Sequence, residues 1–279
     1  MTEPPPPALA PIEFEVRLLH ARLARAGEHY RSFGHVWANY LDQRPHALES
    51  TPEPNGAIVV RLRRVTPLPA ELSVVFGEML YELRAALDNC LYAVAVLVSG
   101  QNPPPNAARL EWPIRGTPLE WANHAARYQD LPSEITQALE AIQPYQAQFP
   151  DWNSLRILHN LARIDRHRAP HGLGLYLAEL HLAVDADLVE VVDAGSPGII
   201  SDGQQIVRLR VARGVELSPE NFDLDLEFEV DVTDVRESPG PSGRTGRPWG
   251  PLDKRLYALV KAVDEYTSGL LAIAEDLVT

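Results

Sequence analysis

Leu19, Leu23, Ala26, Tyr30, Phe33, Trp37 and Tyr40 recur at alternating steps of four and three. That spacing keeps one stripe facing a partner and predicts a helix over roughly residues 12 to 42. The stretch DQRPH ends it, because the residue before a proline avoids the helical region. A second stripe, from Leu72 through Phe76, Met79, Leu83, Leu87, Cys90 and Val94 to Leu97, predicts a helix between Pro69 and Val98. Its C-terminal half is apolar nearly all round, so it is expected at the centre of a bundle. A third stripe from Leu252 to Leu277 repeats the pattern, and shorter helices are expected at 117 to 128, 132 to 143 and 152 to 167. Long stripes of this kind suit antiparallel helices packed at shallow angles.

Period two replaces this pattern between residues 173 and 235. In NFDLDLEFEVDV, Phe222, Leu224, Leu226, Phe228, Val230 and Val232 fall on one face, and Asp223, Asp225, Glu227, Glu229 and Asp231 on the other, which predicts a strand. QIVRLRVARG alternates likewise. A hairpin across GVELSPE would set Arg208 and Arg210 opposite the acidic row, as favourable cross-strand pairs require. The acids then form a solvated face; a metal-binding role is disfavoured because alternating faces spread ligands along a line. GAIVVRLRRV earlier in the chain and LEWPI after a proline-rich loop are further strand candidates.

The expected fold class is α+β, an antiparallel helical bundle with a small antiparallel β-sheet inserted before the C-terminal helix. The organisation is a disordered N-terminus at 1–11, a helical bundle at 12–172, an antiparallel β insert at 173–235, a linker loop at 236–250, and a C-terminal helix at 251–279 that returns to the bundle.

Composition narrows the partners. A net charge of −13 over 279 residues disfavours a protein whose whole surface binds nucleic acid or anionic lipid, so RNA is expected only at a local basic patch. The longest apolar run is too short to span a bilayer and the N-terminus lacks the regions of a signal peptide, so the expected location is cytoplasmic, without a membrane partner. Cys90, the single cysteine, reads as core filler.

Candidate chemistry lies where polar residues interrupt the helical core. Tyr81, Arg84, Asp88 and Tyr92 share the side of the second helix opposite Leu83, Leu87, Cys90 and Val94. Asn160, Arg163 and His167 share a face of a later helix, flanked by Asp165 and Arg168. A polar layer between the two helices is the simplest account, and it has two readings. In one, His167 is a general acid or base tuned by Asp165 or Asp88, and Arg163, Arg166 and Arg168 hold a phosphodiester or carboxylate. In the other, Arg84, Asp88, Asn160 and their neighbours form a network that only fixes which helices pack together. Arg156, His159 and His171 add to the local positive charge. His167 and His171 have i, i+4 spacing, but Pro170 interrupts the helix that would align them on zinc, and no phosphate loop or nucleophile elbow is present. No cofactor or metal is expected.

GEMLYELRAALDNCLYAVA at 77–95, AIQPYQAQ at 141–148 and LHNLARIDRHR at 158–168 together resemble a family of uncharacterised bacterial proteins. Its members carry an L-R-x-A-L-D helix, a Q-P-Y turn and an I-D-K-H-R segment in that order. The likeness covers about the first 170 residues and implies no known activity; Arg166 stands in place of the lysine. More distantly, the pattern is similar to the HEPN superfamily, many of whose members are metal-independent ribonucleases that act as dimers in toxin and defence systems. That resemblance implies an RNA-directed role and a homodimer. Its signature, an arginine and a histidine separated by four to six positions, is met in spacing by Arg166 and His171, though Pro170 intervenes, while Arg163 and His167 are one residue too close.

Overall fold

The computed structural model describes residues 7–167, 172–233, 237–243, 245–247 and 250–279, with the side chains of Pro7, Thr245 and residues 164–167 outside that description. In chain order its elements are α1 (Glu13–Asp42), β1 (His46–Pro52), β2 (Ala57–Arg64), α2 (Ala70–Ser99), α3 (Pro118–His124), α4 (Ser133–Ala141), α5 (Ser154–His167), β3 (Leu173–Val184), β4 (Val189–Ala194), β5 (Gly198–Ile199), β6 (Gln205–Val211), β7 (Phe222–Val232) and α6 (Leu252–Val278). The class is α+β, with a C-terminal helix after the strands. No helix among the described residues is long and apolar enough to cross a membrane.

The helical stripes pack as their spacing requires. On α1, Val16, Leu19, Ala26, Phe33 and Tyr40 are buried, with Leu23, Tyr30 and Trp37 half-buried between them. Arg44, just before Pro45, leaves the helical region at a φ of 49°. α2 is the central element, packed against α1, α5 and α6, and it buries Leu72, Phe76, Met79, Leu83, Leu87, Cys90 and Val94 on one stripe and Ala86 and Ala93 on another. Burial pushes the Cys90 thiol up and leaves it protonated. At the end of α2, Gly100 adopts a φ of 66° and its N–H caps the Val96 carbonyl at 2.9 Å, a left-handed position that glycine takes without Cβ strain.

The strands differ from expectation in their partners. β6 and β7 do not form a hairpin: β6 lies between β2 and β4 in a four-stranded sheet ordered β1-β2-β6-β4, and β7 pairs with β3 in a three-stranded sheet ordered β5-β3-β7. The apolar faces of the two sheets meet, with Leu62 and Ile206 of one clustering with Leu175 and Leu177 of the other. GVELSPE therefore carries the chain from one sheet to the facing one. Period two fixes which face is apolar but not which strand lies alongside, so both arrangements satisfy the pattern. Arg208 and Arg210 accordingly meet Glu53 and Glu190, at 2.8 and 2.6 Å, instead of the acidic row.

Two further expectations change. The strand at 57–64 joins the four-stranded sheet through β6, so the β structure also draws on the segment between α1 and α2. The acidic row is solvated only from Asp223 to Glu227; beyond it both faces of β7 are covered, and Asp231 has no exposure. Asp231 Oδ1 accepts from Arg255 Nη1 at 3.0 Å, its Oδ2 is bound by Arg247, and Arg255 Nη2 donates to the Gly250 carbonyl at 2.8 Å. This buried group ties the end of β7 to the start of α6.

Candidate functional site

LEWPI is an extended segment without a strand partner among the described residues, and its backbone groups are taken up by side chains. Arg84 Nη2 donates to the Trp112 carbonyl at 2.7 Å, and Asp88 Oδ1 accepts from the Trp112 N–H at 2.8 Å. The two side chains, one helical turn apart, are 3.3 Å from each other and grip both polar groups of one residue. Gln143, wholly buried, continues the arrangement: its Oε1 accepts from the Arg115 N–H at 2.8 Å, and its Nε2 donates to the Pro113 carbonyl at 3.1 Å and the Leu139 carbonyl at 2.7 Å. Buried backbone groups need partners, and here α2 and the Q-P-Y turn supply them. Arg84 is buried, while Asp88 keeps about a third of its side chain exposed (35%). Of the residues expected beside them, Tyr81 is exposed and Tyr92 donates to Asn102 at 2.9 Å.

α5 starts at an asparagine cap, with Asn153 Oδ1 accepting from the N–H groups of Leu155 and Arg156 at 3.0 and 3.2 Å, which satisfies donors that a helix start leaves free. Leu155, Ile157, Leu158, Leu161 and Ala162 turn into the core. At 100° per residue, Arg156, His159, Asn160 and Arg163 take the opposite side. Arg156, His159 and Asn160 are half-buried and Arg163 is exposed. None of the four side chains forms a hydrogen bond or ion pair with the described residues. Arg156 lies against the backbone at Gly116, where a Cβ would come within 3.1 Å of its Nη1.

The electrostatics follow from this crowding. Burial, and then the guanidiniums of Arg84, Arg156, Arg163 and Arg115, push His159 down to about 4. Glu111 partly offsets the charge: burial raises its carboxyl, but Arg115 and Arg127, at 2.8 and 2.7 Å, outweigh that and hold it below the usual range. At neutral pH His159 is therefore an uncharged imidazole among cations. As a general base it is poorly matched to pH 7, but an anion settling on the face would offset the arginines' share of that depression, though not the share due to burial.

One outcome follows for the folded state. With a folded value below the ordinary 6.5, the native protein binds fewer protons than the unfolded chain between about pH 6.5 and about pH 4. The stability associated with neutral His159 is present above that window and lost as pH falls through it. Urea unfolding at about pH 7 and about pH 4.5 should show a smaller acid loss in His159→Gln than in wild type; equal losses would place the acid sensitivity elsewhere.

Of the candidate residues, Asn160 and Arg163 share the basic face, and Arg84 and Asp88 sit on the neighbouring helix as a backbone clamp. Asp165, Arg166 and His167 belong to the last turn of α5, and their side chains, with all of Arg168, lie outside the described residues. Arg156 and His159, expected only to add to the local positive charge, complete the face; their offsets of seven and four positions before Arg163 place them there. A surface groove of about 570 Å³ runs between Trp152 and α6, lined by Lys254, Tyr257, Lys261 and Tyr266 among others. None of Arg156, His159, Asn160, Arg163 or Asp88 lines it. No family model, curated protein or solved structure matches the chain.

Proposed function

We propose that the basic face of α5 is an RNA-directed site that holds phosphates of the strand. The observation that carries this reading is the set Arg156, His159, Asn160 and Arg163 on one helix side, without hydrogen bonds or ion pairs to the described residues, in a chain of net charge −13. Arg156 and Arg163 stand about 10 Å apart along the axis, a span suited to more than one phosphate. In this reading Arg166 and Arg168 extend the phosphate contacts and His167 is the acid or base, oriented by Asp165, wherever cleavage occurs.

A second reading is favoured for part of the set. Arg84 and Asp88 satisfy the Trp112 backbone, which supports for these two the structural role of the alternative hypothesis, holding the LEWPI segment against α2.

Fluorescence anisotropy with a short single-stranded RNA tests the proposal. Arg156→Ala and Arg163→Ala should each weaken binding and lower the slope of log K against log salt by about 0.7 to 1 per lost phosphate contact. Arg163→Ala, at an exposed position, should keep wild-type stability to within about 0.5 kcal/mol. A wild type that does not bind RNA, or variants that bind as tightly with the same slope, would reject it. Incubation with total RNA in chelator then asks whether binding leads to cleavage, which His167→Ala should abolish.

A further inference from the structure

A second constellation lies on the three-stranded sheet. In the β3–β7 ladder Glu179 is directly opposite Glu227 and His181 is opposite Asp225, and alternate positions share a face, so the four project together. Like charges placed directly opposite destabilise a ladder. No lysine or arginine pairs with Glu179 or Glu227 among the described residues. What comes between them is the His181 ring, whose Nε2 is 3.1 Å from Glu179 Oε2 and 3.9 Å from Glu227 Oε1. One donor atom from each of the three lies within 4.8 Å of the others, and all three side chains are exposed.

We propose that Glu179, His181 and Glu227 form a surface site for a divalent transition-metal ion of the zinc class. A row of acids along one strand spreads its oxygens in a line, but Glu179 faces Glu227 across two strands, and His181, two residues along β3 from Glu179, completes a triangle. One imidazole nitrogen with two carboxylate oxygens suits zinc, whereas magnesium and calcium favour oxygen donors alone. Zinc bonds of about 2.1 Å in tetrahedral geometry set donors roughly 3.4 Å apart. The present spread therefore closes by about an ångström, through side-chain rotation open to exposed glutamates. The cation also relieves the cross-strand repulsion, and three protein donors leave a coordination position for water or for a donor from another molecule.

Isothermal titration of the full chain with zinc chloride at neutral pH, with magnesium chloride as control, tests this together with His181→Asn and Glu227→Gln. Wild type should take up zinc saturably at this site, and each variant should bind it at least about tenfold more weakly, the low end of what even an outer-sphere partner contributes. Circular dichroism should report both variants folded, as expected for exposed positions. Nuclear magnetic resonance of the wild type supplies a readout independent of the variants: zinc, but not magnesium, should shift the His181 ring signals. A wild type without saturable zinc binding, affinity unchanged in both variants, or His181 signals unmoved by zinc would overturn the proposal. A protonated His181 that merely pairs with the two glutamates gives those results.

Discussion

Asp231→Ala is expected to cost about 3 to 5 kcal/mol of unfolding free energy, the range found when one member of a buried ion pair is removed and its partner is left in the interior. Asp231 is fully buried and Arg255 is 1% exposed, so the arginine would face a site from which water is excluded. The carboxylate also binds Arg247, which in turn stacks over Tyr176 with its guanidinium 4.9 Å from the ring centre. One substitution thus uncouples the end of β7, the loop before α6 and β3. Urea unfolding would read the loss directly. Asp225→Ala, on the same strand but exposed, is the internal control and should stay within about 0.5 kcal/mol. A loss below about 1 kcal/mol for Asp231→Ala would mean that Arg255 finds other partners or water.

Gln143→Leu should be the second most damaging change, at about 2 to 4 kcal/mol. The leucine keeps most of the volume but strands the Arg115 N–H and the Pro113 carbonyl, and each buried group left without a partner costs about 1 to 3 kcal/mol. Asp88→Ala removes a comparable contact to Trp112 but at a position open to solvent, where water can replace the carboxylate. It should cost less, about 1 kcal/mol. Chemical denaturation of the two variants side by side checks the ordering, and a reversed order would contradict the buried clamp.

The long helices were legible because a stripe at alternating threes and fours has one physical solution, a helix with a buried side. α1, α2 and α6 fall within a residue or two of where the stripes put them. Strand pairing was not, since Leu209 or Leu224 would bury equally well against either neighbour, and only the packing of one whole sheet on the other selects between them. Asp231 was illegible for a related reason: it continues an alternating acidic row, and what distinguishes it from Asp223 is the approach of Arg247 and Arg255 from farther along the chain. Arg84 and Asp88 were recognisable as a pair, but their partner is a peptide group, and every residue has one of those. On α5 the same helical arithmetic that found Asn160 and Arg163 reaches back to His159 and Arg156.

The four-stranded sheet has a kinetic side. β1 and β2 form an early hairpin, yet Val60 of β2 pairs with Val207 of β6, so on the ribosome the hairpin waits through the emergence of α2 to α5 and half of the strands before its open edge is filled. Contacts between residues so far apart in sequence are slow to form, and an unfilled strand edge invites pairing with other chains. β1 meets that wait with a polar sequence, HALESTP, ending in a proline, which guards one side. The other edge, on β2, carries Arg61 and Arg63 among its valines and leucine, charges that discourage neighbouring nascent chains from docking until β6 arrives.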